Sequence, residues 1–272
     1  DADQGLTGLF NNENYAGCWL NIICPFSIAL LFEKSLNLFK KGILVSFIIS
    51  ISTAIFLTSS RNAWGGLIIT LSLLFGSNII LSFLIIFILI FIYLNFSNHV
   101  PALLDKFSPF LPERLNFILD NFDRTSYDVK AYQRPFIYLF TTKMIKERLL
   151  LGWGASAFPL YYFISNEIYI GHTHNFFLEL AFSYGIIPLS LILATILPIC
   201  FISFKKIFLS KLEISFIDLF YDKAWCTSFF VLLISQMFDL QYFDGRISFT
   251  FWVLLAGVKE IMVDKEEFKL LN

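Results

Sequence analysis

Residues 171–204 read GHTHNFFLELAFSYGIIPLSLILATILPICFISF. Two of the chain's three histidines, His172 and His174, stand two residues apart, where a long polar segment gives way to an apolar run. That run, 176–204, exceeds the roughly 20 apolar residues a helix needs to cross a bilayer. It sets the class: an α-helical membrane protein. Histidine is the side chain whose unperturbed pKa lies nearest neutrality, so it is a default proton acceptor. A helix starting near 176 would aim free N–H groups and a positive dipole end at whatever lies beside the histidines. An anion is expected there.

Composition outside this stretch agrees. Of 272 residues, 57% are hydrophobic, 18% aromatic and 15% charged, with 34 phenylalanines. Soluble domains carry about 25% charged residues. Mean hydropathy is +0.71. The net charge of −1 provides no basic field for nucleic acid. Cys18, Cys24, Cys200 and Cys226 form no C-x-x-C pair, so neither a metal nor a redox role is expected. The chain begins at Asp1 without a signal peptide and is expected to be a fragment whose further N-terminal spans are missing.

Apolar runs predict an all-α, polytopic transmembrane bundle of about seven spans. Residues 1–95 hold spans near 15–32, 43–60, 63–76 and 79–95. Residues 96–175 form a long outer segment, with short interfacial helices at Pro109–Asn121 and from Pro135 to Leu150. The second has Phe136, Leu139, Phe140, Met144 and Leu151 near helical spacing and is ended by Gly152 and Gly154. Residues 176–272 hold spans 176–204, 224–238 and 247–262 and a tail. Loops 33–42 and 205–223 and the C-terminal end from Lys259 carry ten of the fourteen lysines and no arginine, which makes that face cytoplasmic. All six arginines then fall on the outer face with the histidines. A planar guanidinium fork grips phosphate or carboxylate with two bonds, so an anionic ligand is expected on that face.

Arg61 follows Ser59-Ser60 in a break of an apolar stretch too long for one span and short for two. An ionisable residue at such a boundary is a functional candidate. Arg134 precedes a helix start. His174 and Asn175 open the span at 176, with Glu179 about one turn inside and His172 a lesser partner. Asp239 and Arg246 bracket a short outer loop; they either pair with each other or Arg246 joins the substrate site. No nucleotide loop, no metal cluster with ligand spacing and no nucleophile elbow is visible, so neither cofactor nor metal is expected.

Four stretches, in order, resemble the O-antigen ligase and polymerase superfamily of bacterial membrane proteins. They are Thr7 to Ala16; Leu57-Thr58-Ser59-Ser60-Arg61-Asn62-Ala63-Trp64; Arg134 before a helix ending in Leu151-Gly152-Trp153-Gly154; and His172-Thr173-His174-Asn175 with Glu179 and Gly185. The resemblance implies a glycosyltransferase in the cytoplasmic (inner) membrane with its active face in the periplasm. The donor would be a glycan on undecaprenyl diphosphate, and the acceptor a glycan or lipid. The family's arginines correspond to Arg61 and Arg134, which would hold the diphosphate. Its histidine corresponds to His174, which would activate the acceptor hydroxyl without metal. His172, Asn175, Glu179 and Arg246 are expected at the substrate. Asn12-Glu13-Asn14 departs from the family's more usual Asn-Pro-Asn. The stretch Phe243 to Ser248 is also similar to superfamily members described as inorganic-carbon transporters. A small-anion transporter of bicarbonate type is therefore an alternative, and a non-catalytic partner in glycan export is another.

Overall fold

The computed structural model describes residues 5–76, 82, 134–210 and 215–263. Among the described residues 78% are helical and none lies in a strand, in keeping with the all-α class. The expected span at 79–95, Ser82 apart, and the expected helix at Pro109–Asn121 lie outside the described residues.

The helices are α1 Glu13–Leu30, α2 Leu38–Leu57, α3 Arg61–Phe75, α4 Arg134–Glu147, α5 Phe158–Asn166, α6 Phe176–Tyr184, α7 Ile186–Phe204, α8 Phe216–Ser235 and α9 Gly245–Val263. Two of them are long and apolar enough to cross a membrane by themselves: α2, and α7 with the π-turn that extends it to Leu209. The count of seven spans is not met among the described residues, for physical reasons. The 15 residues of α3 reach only about 22 Å. Asp218, Asp222 and Lys223 interrupt α8, and Arg246, Lys259 and Glu260 interrupt α9. In α1, Glu13, Asn14 and Asn21 dilute the apolar surface. On α2 only Ile51 and Ile55 are buried, and Phe47, Ile49 and Leu57 are exposed. Such a surface suits hydrocarbon rather than water.

The chain divides into two compact units, and the division falls within α8 after Val231. The first contains α1, α2, α3 and most of α8. Ile28, Ile51, Ile55, Leu74 and Phe220 form its core. Asn12 caps α1 by accepting from the amides of Asn14 and Tyr15. Ser60 caps α3 through the Ala63 amide and donates its own hydroxyl to Asn14 at 2.6 Å. Asn21 donates to the Ala63 carbonyl at 2.8 Å, locking α1 to α3. Arg61 is the first residue of α3 and is exposed.

The second unit contains α4, α5, α6, α7 and α9 around Ile137, Met144, Phe158, Tyr162, Phe182 and Leu189. Here α4 stops at Glu147, three residues short of the expected end. The face it buries is Ile137, Thr141, Met144 and Ile145, while Phe136 and Leu139 are 41% and 72% exposed. The apolar set read from the sequence is therefore partly its outward face. The run 176–204 is not one helix. It breaks at Gly185, where φ is 86°, into α6 and α7. At that break the Trp153 and Gly154 amides donate to Phe182 and Ser183 at 2.8 and 3.0 Å, and the Ile186 amide donates to Leu149 at 2.8 Å. The Trp153 indole N–H donates to Met144, and the Arg148 guanidinium lies 4.4 Å over the Trp153 ring. The Leu151–Gly154 stretch and Gly185 are thus two halves of one backbone crossing, and the crossing holds α6.

A Cβ on Gly185 would overlap the Leu150 carbonyl and stand 2.8 Å from the Leu151 nitrogen. Strained backbone alone costs about 1–3 kcal/mol. Gly185→Ala should therefore destabilise the purified protein by at least about 2 kcal/mol. An unchanged unfolding midpoint in detergent would refute this account of the crossing.

Candidate functional site

The site lies within the second unit, where the loop 171–175 meets the loop 236–244. His174 has φ 55°, a left-handed backbone that non-glycine residues seldom adopt. Hydrogen bonds hold it from every side. The Thr173 amide donates to Glu179 Oε2 at 3.0 Å, the His174 amide to His172 Nδ1 at 3.1 Å, and the Asn175 amide to Thr173 Oγ1 at 3.4 Å. The Tyr138 hydroxyl, on α4, lies 3.2 Å from the His174 carbonyl and 3.3 Å from that of Met237. Asn175 joins the two loops by donating from Nδ2 to Met237 at 3.0 Å.

Asn175 also caps α6, its Oδ1 accepting from the amides of Phe177 and Leu178 at 3.0 and 3.1 Å. The Phe176 amide donates to Gln236 and the Glu179 amide to the Asn175 carbonyl, both at 2.9 Å. This corrects the expectation of an anion at the start of that helix. The first-turn amides that would grip one are already spent, because the residue before the helix is a strong capping residue.

Asp239 is the carboxylate the histidines face. It is 3% exposed, and its Oδ1 lies 3.2 Å from His174 Nδ1 and 3.9 Å from His172 Nε2. The two imidazoles lie edge to face, 4.3 Å between centroids. A carboxylate only accepts, so the His174 proton sits on Nδ1 and the lone pair on Nε2 is left open. Burial alone would raise the Asp239 carboxyl. The His174 hydrogen bond, the charges of both histidines and the Leu240 amide outweigh it and hold the group below the usual carboxylate value. Burial pushes the His172 imidazole down from 6.5 to about 4, with the charges of His174 and Arg134 adding and that of Asp239 opposing.

One oxygen or nitrogen from each of His172, His174 and Asp239 lies within 4.8 Å of the others, close enough to consider a metal ion. The donor set does not suit one. Nδ1 of His172 accepts an amide proton, so Nε2 carries that ring's own proton, and neither nitrogen offers a lone pair.

Of the other expected site residues, Arg134 opens α4 one turn before Tyr138, and its charge is felt at both His172 and Tyr138. Arg61 belongs to the first unit. Arg246, expected either to pair with Asp239 or to join the substrate site, grips its neighbour Asp244, Nε to Oδ1 at 3.0 Å and Nη2 to Oδ2 at 2.6 Å, on an exposed surface. Glu179 is 4% exposed, and its two oxygens accept from Thr173 and Ser183. Sequence reasoning missed Asp239, Tyr138 and Thr173 as members of the site. The available signal for Asp239 was a lone carboxylate between Phe238 and Leu240, at the end of an apolar run.

The family model described as O-antigen ligase matches residues 45–193, more than half of the chain. The match takes in Arg61, Arg134, His172, His174, Asn175 and Glu179 and ends before Asp239. No curated protein and no solved structure matches the chain.

The low His172 value has a consequence for stability. Between pH 6.5 and about 4 the unfolded chain binds a proton at His172 that the folded chain refuses. Its contribution is therefore complete above pH 6.5 and lost as pH falls to about 4, on the order of 3 kcal/mol at most. Asp239 adds to the loss only below its ordinary 3.8. His172→Gln keeps an acceptor for the His174 amide and should flatten the fall in melting temperature across that window. Equal slopes for variant and wild type would contradict it.

Proposed function

The chain belongs to the O-antigen ligase family, and from that premise we propose that it is a membrane glycosyltransferase of ligase or polymerase type. It transfers or polymerises a glycan from an undecaprenyl-diphosphate-linked donor, on the periplasmic face of the cytoplasmic membrane, in cell-surface polysaccharide synthesis. The observation that carries the reading is the Asp239–His174 pair, which leaves Nε2 of His174 as an open proton acceptor.

The chemistry follows from that nitrogen. An acceptor hydroxyl gives its proton to His174 Nε2. Its oxygen bonds to the anomeric carbon of the donor sugar. The bond from that carbon to the diphosphate breaks, and the electron pair stays on the diphosphate oxygen. Asp239 fixes the imidazole tautomer and steadies the imidazolium that forms. Negative charge grows on the leaving diphosphate, so guanidinium forks aimed at it favour the transition state over the ground state. Arg134 and Arg61 take that role. What supports Arg134 is that its charge reaches His172; what supports Arg61 is the resemblance of Ser59-Ser60-Arg61-Asn62 to the family's arginine motif, inside the matched residues.

Purified protein with a lipid-linked glycan donor tests the assignment. His174→Ala should slow transfer by about 10²–10⁴-fold, the usual worth of a general base. Asp239→Asn should fall in the same direction. Arg61→Lys keeps the charge but loses the planar fork, and should cost about a hundredfold, on the order of 3 kcal/mol. Wild-type rates in His174→Ala would remove the base from this scheme.

Sidedness has its own test. In a protein whose native cysteines have been replaced, a cysteine at Ser97 should react in intact cells with an impermeant thiol reagent and one at Ser210 should not. The reverse pattern would turn the topology over.

A further inference from the structure

Glu179 is a buried carboxyl group that the transfer step leaves unused. It sits one turn into α6, 4% exposed. Oε2 accepts the Thr173 amide at 3.0 Å and Oε1 accepts the Ser183 hydroxyl at 3.3 Å. Thr173 is the residue before the left-handed His174, and it is tied to the residue after it as well. Its hydroxyl donates to the Asn175 carbonyl at 2.9 Å and accepts the Asn175 amide at 3.4 Å. The Thr173 side chain is 0% exposed, so nothing from solvent can replace the carboxylate as acceptor for its amide. A left-handed conformation at a residue with a Cβ persists only when its surroundings over-determine it. The Glu179 carboxylate is a side-chain part of that frame supplied from inside α6.

We infer that Glu179 is a positioning residue: acting through Thr173, it holds the turn that presents Nε2 of His174, and it does so by hydrogen bonds without using its charge. The link to catalysis rests on the transfer reading above; the bracing of the turn does not. The groups donating to Glu179, the Thr173 amide and the Thr173 and Ser183 hydroxyls, are all neutral. Glutamine can therefore remake the contacts, with Oε1 accepting from Thr173 and the NH2 group donating to the Ser183 hydroxyl once that turns round. A carboxylate that bound substrate through its charge, or that moved a proton, would not survive that exchange.

Full-length protein in lipid nanodiscs separates the possibilities through two readouts on Glu179→Gln, Glu179→Ala and Ser183→Ala. One is hydrogen exchange of the peptide carrying residues 173–175. The other is kcat and donor KM for transfer from an undecaprenyl-diphosphate-linked glycan. In Glu179→Ala, exchange should rise at least about tenfold. Transfer kcat should fall by about 10²-fold, as for a misplaced catalytic group, with donor KM changed by less than about twofold. Glu179→Gln should restore both readouts to within about threefold of wild type. Ser183→Ala removes one of these contacts and should give intermediate exchange. That keeps the test open if the alanine variant at 179 fails to fold. A glutamine variant as impaired as the alanine variant would overturn the inference, assigning the charge a direct role. So would unchanged exchange in both alanine variants. Absence of transfer in the wild type would sink the functional reading alone, because the exchange data would still decide the brace.

Discussion

A carboxylate that is 3% exposed and still ionised needs compensation from inside the chain, because burying a bare charge is prohibitive. Asp239 is compensated by the His174 N–H, by the amide of Leu240 and by the field of two imidazoles. The cost of moving either partner away is the cost of an uncovered charge. Loops 171–175 and 236–244 are therefore bound to one another more firmly than the number of their contacts would imply. The pair also decides which imidazole nitrogen is left over. The chemistry and the packing are consequences of one contact.

The scaffold beneath that contact is backbone rather than side chain. Glycines at 152 and 185 allow the chain after α4 to cross the chain after α6 with carbonyls and amides paired directly. Any Cβ there would force the segments apart, and α6 would lose its place relative to α4. Because α4 carries Tyr138 and Arg134, and α6 carries the histidine loop at its start, the crossing sets the spacing between Arg134 and that loop. Short helices joined this way can be placed more finely than a single span of 29 residues, which has only its tilt and rotation to adjust.

Much of this was legible in the sequence, and the rest was hidden for identifiable reasons. The histidine pair and Arg134 stood out because ionisable groups are scarce at the ends of apolar runs. Asp239 stood in an equally scarce position. It was read against Arg246, seven residues away, when its partner lies 65 residues off in the sequence. Hydropathy located the run 176–204 but not its break, since an apolar scale assigns Gly185 no direction. The span count missed for another reason: it set Asp218, Asp222 and Lys223 in a loop and Arg246 before a span, whereas α8 begins at Phe216 and α9 at Gly245 and both take these residues in. The anion expected at α6 followed from the general electrostatics of helix ends and overlooked Asn175, whose side chain is the natural occupant of those amides.

Tyr138 touches carbonyls 36 and 99 residues further along the chain, and the histidine must wait 65 residues for its carboxylate. A ribosome delivers residues in order, at about 5–20 per second. For several seconds after the histidine loop has been synthesised, the carboxylate that pairs with it and the Met237 carbonyl that Tyr138 and Asn175 bind do not yet exist. The open Nε2 of His174 is set only when the loop between α8 and α9 arrives. A chain cut short between residues 194 and 236 would carry every residue of the family match and no Asp239 to complete the pair.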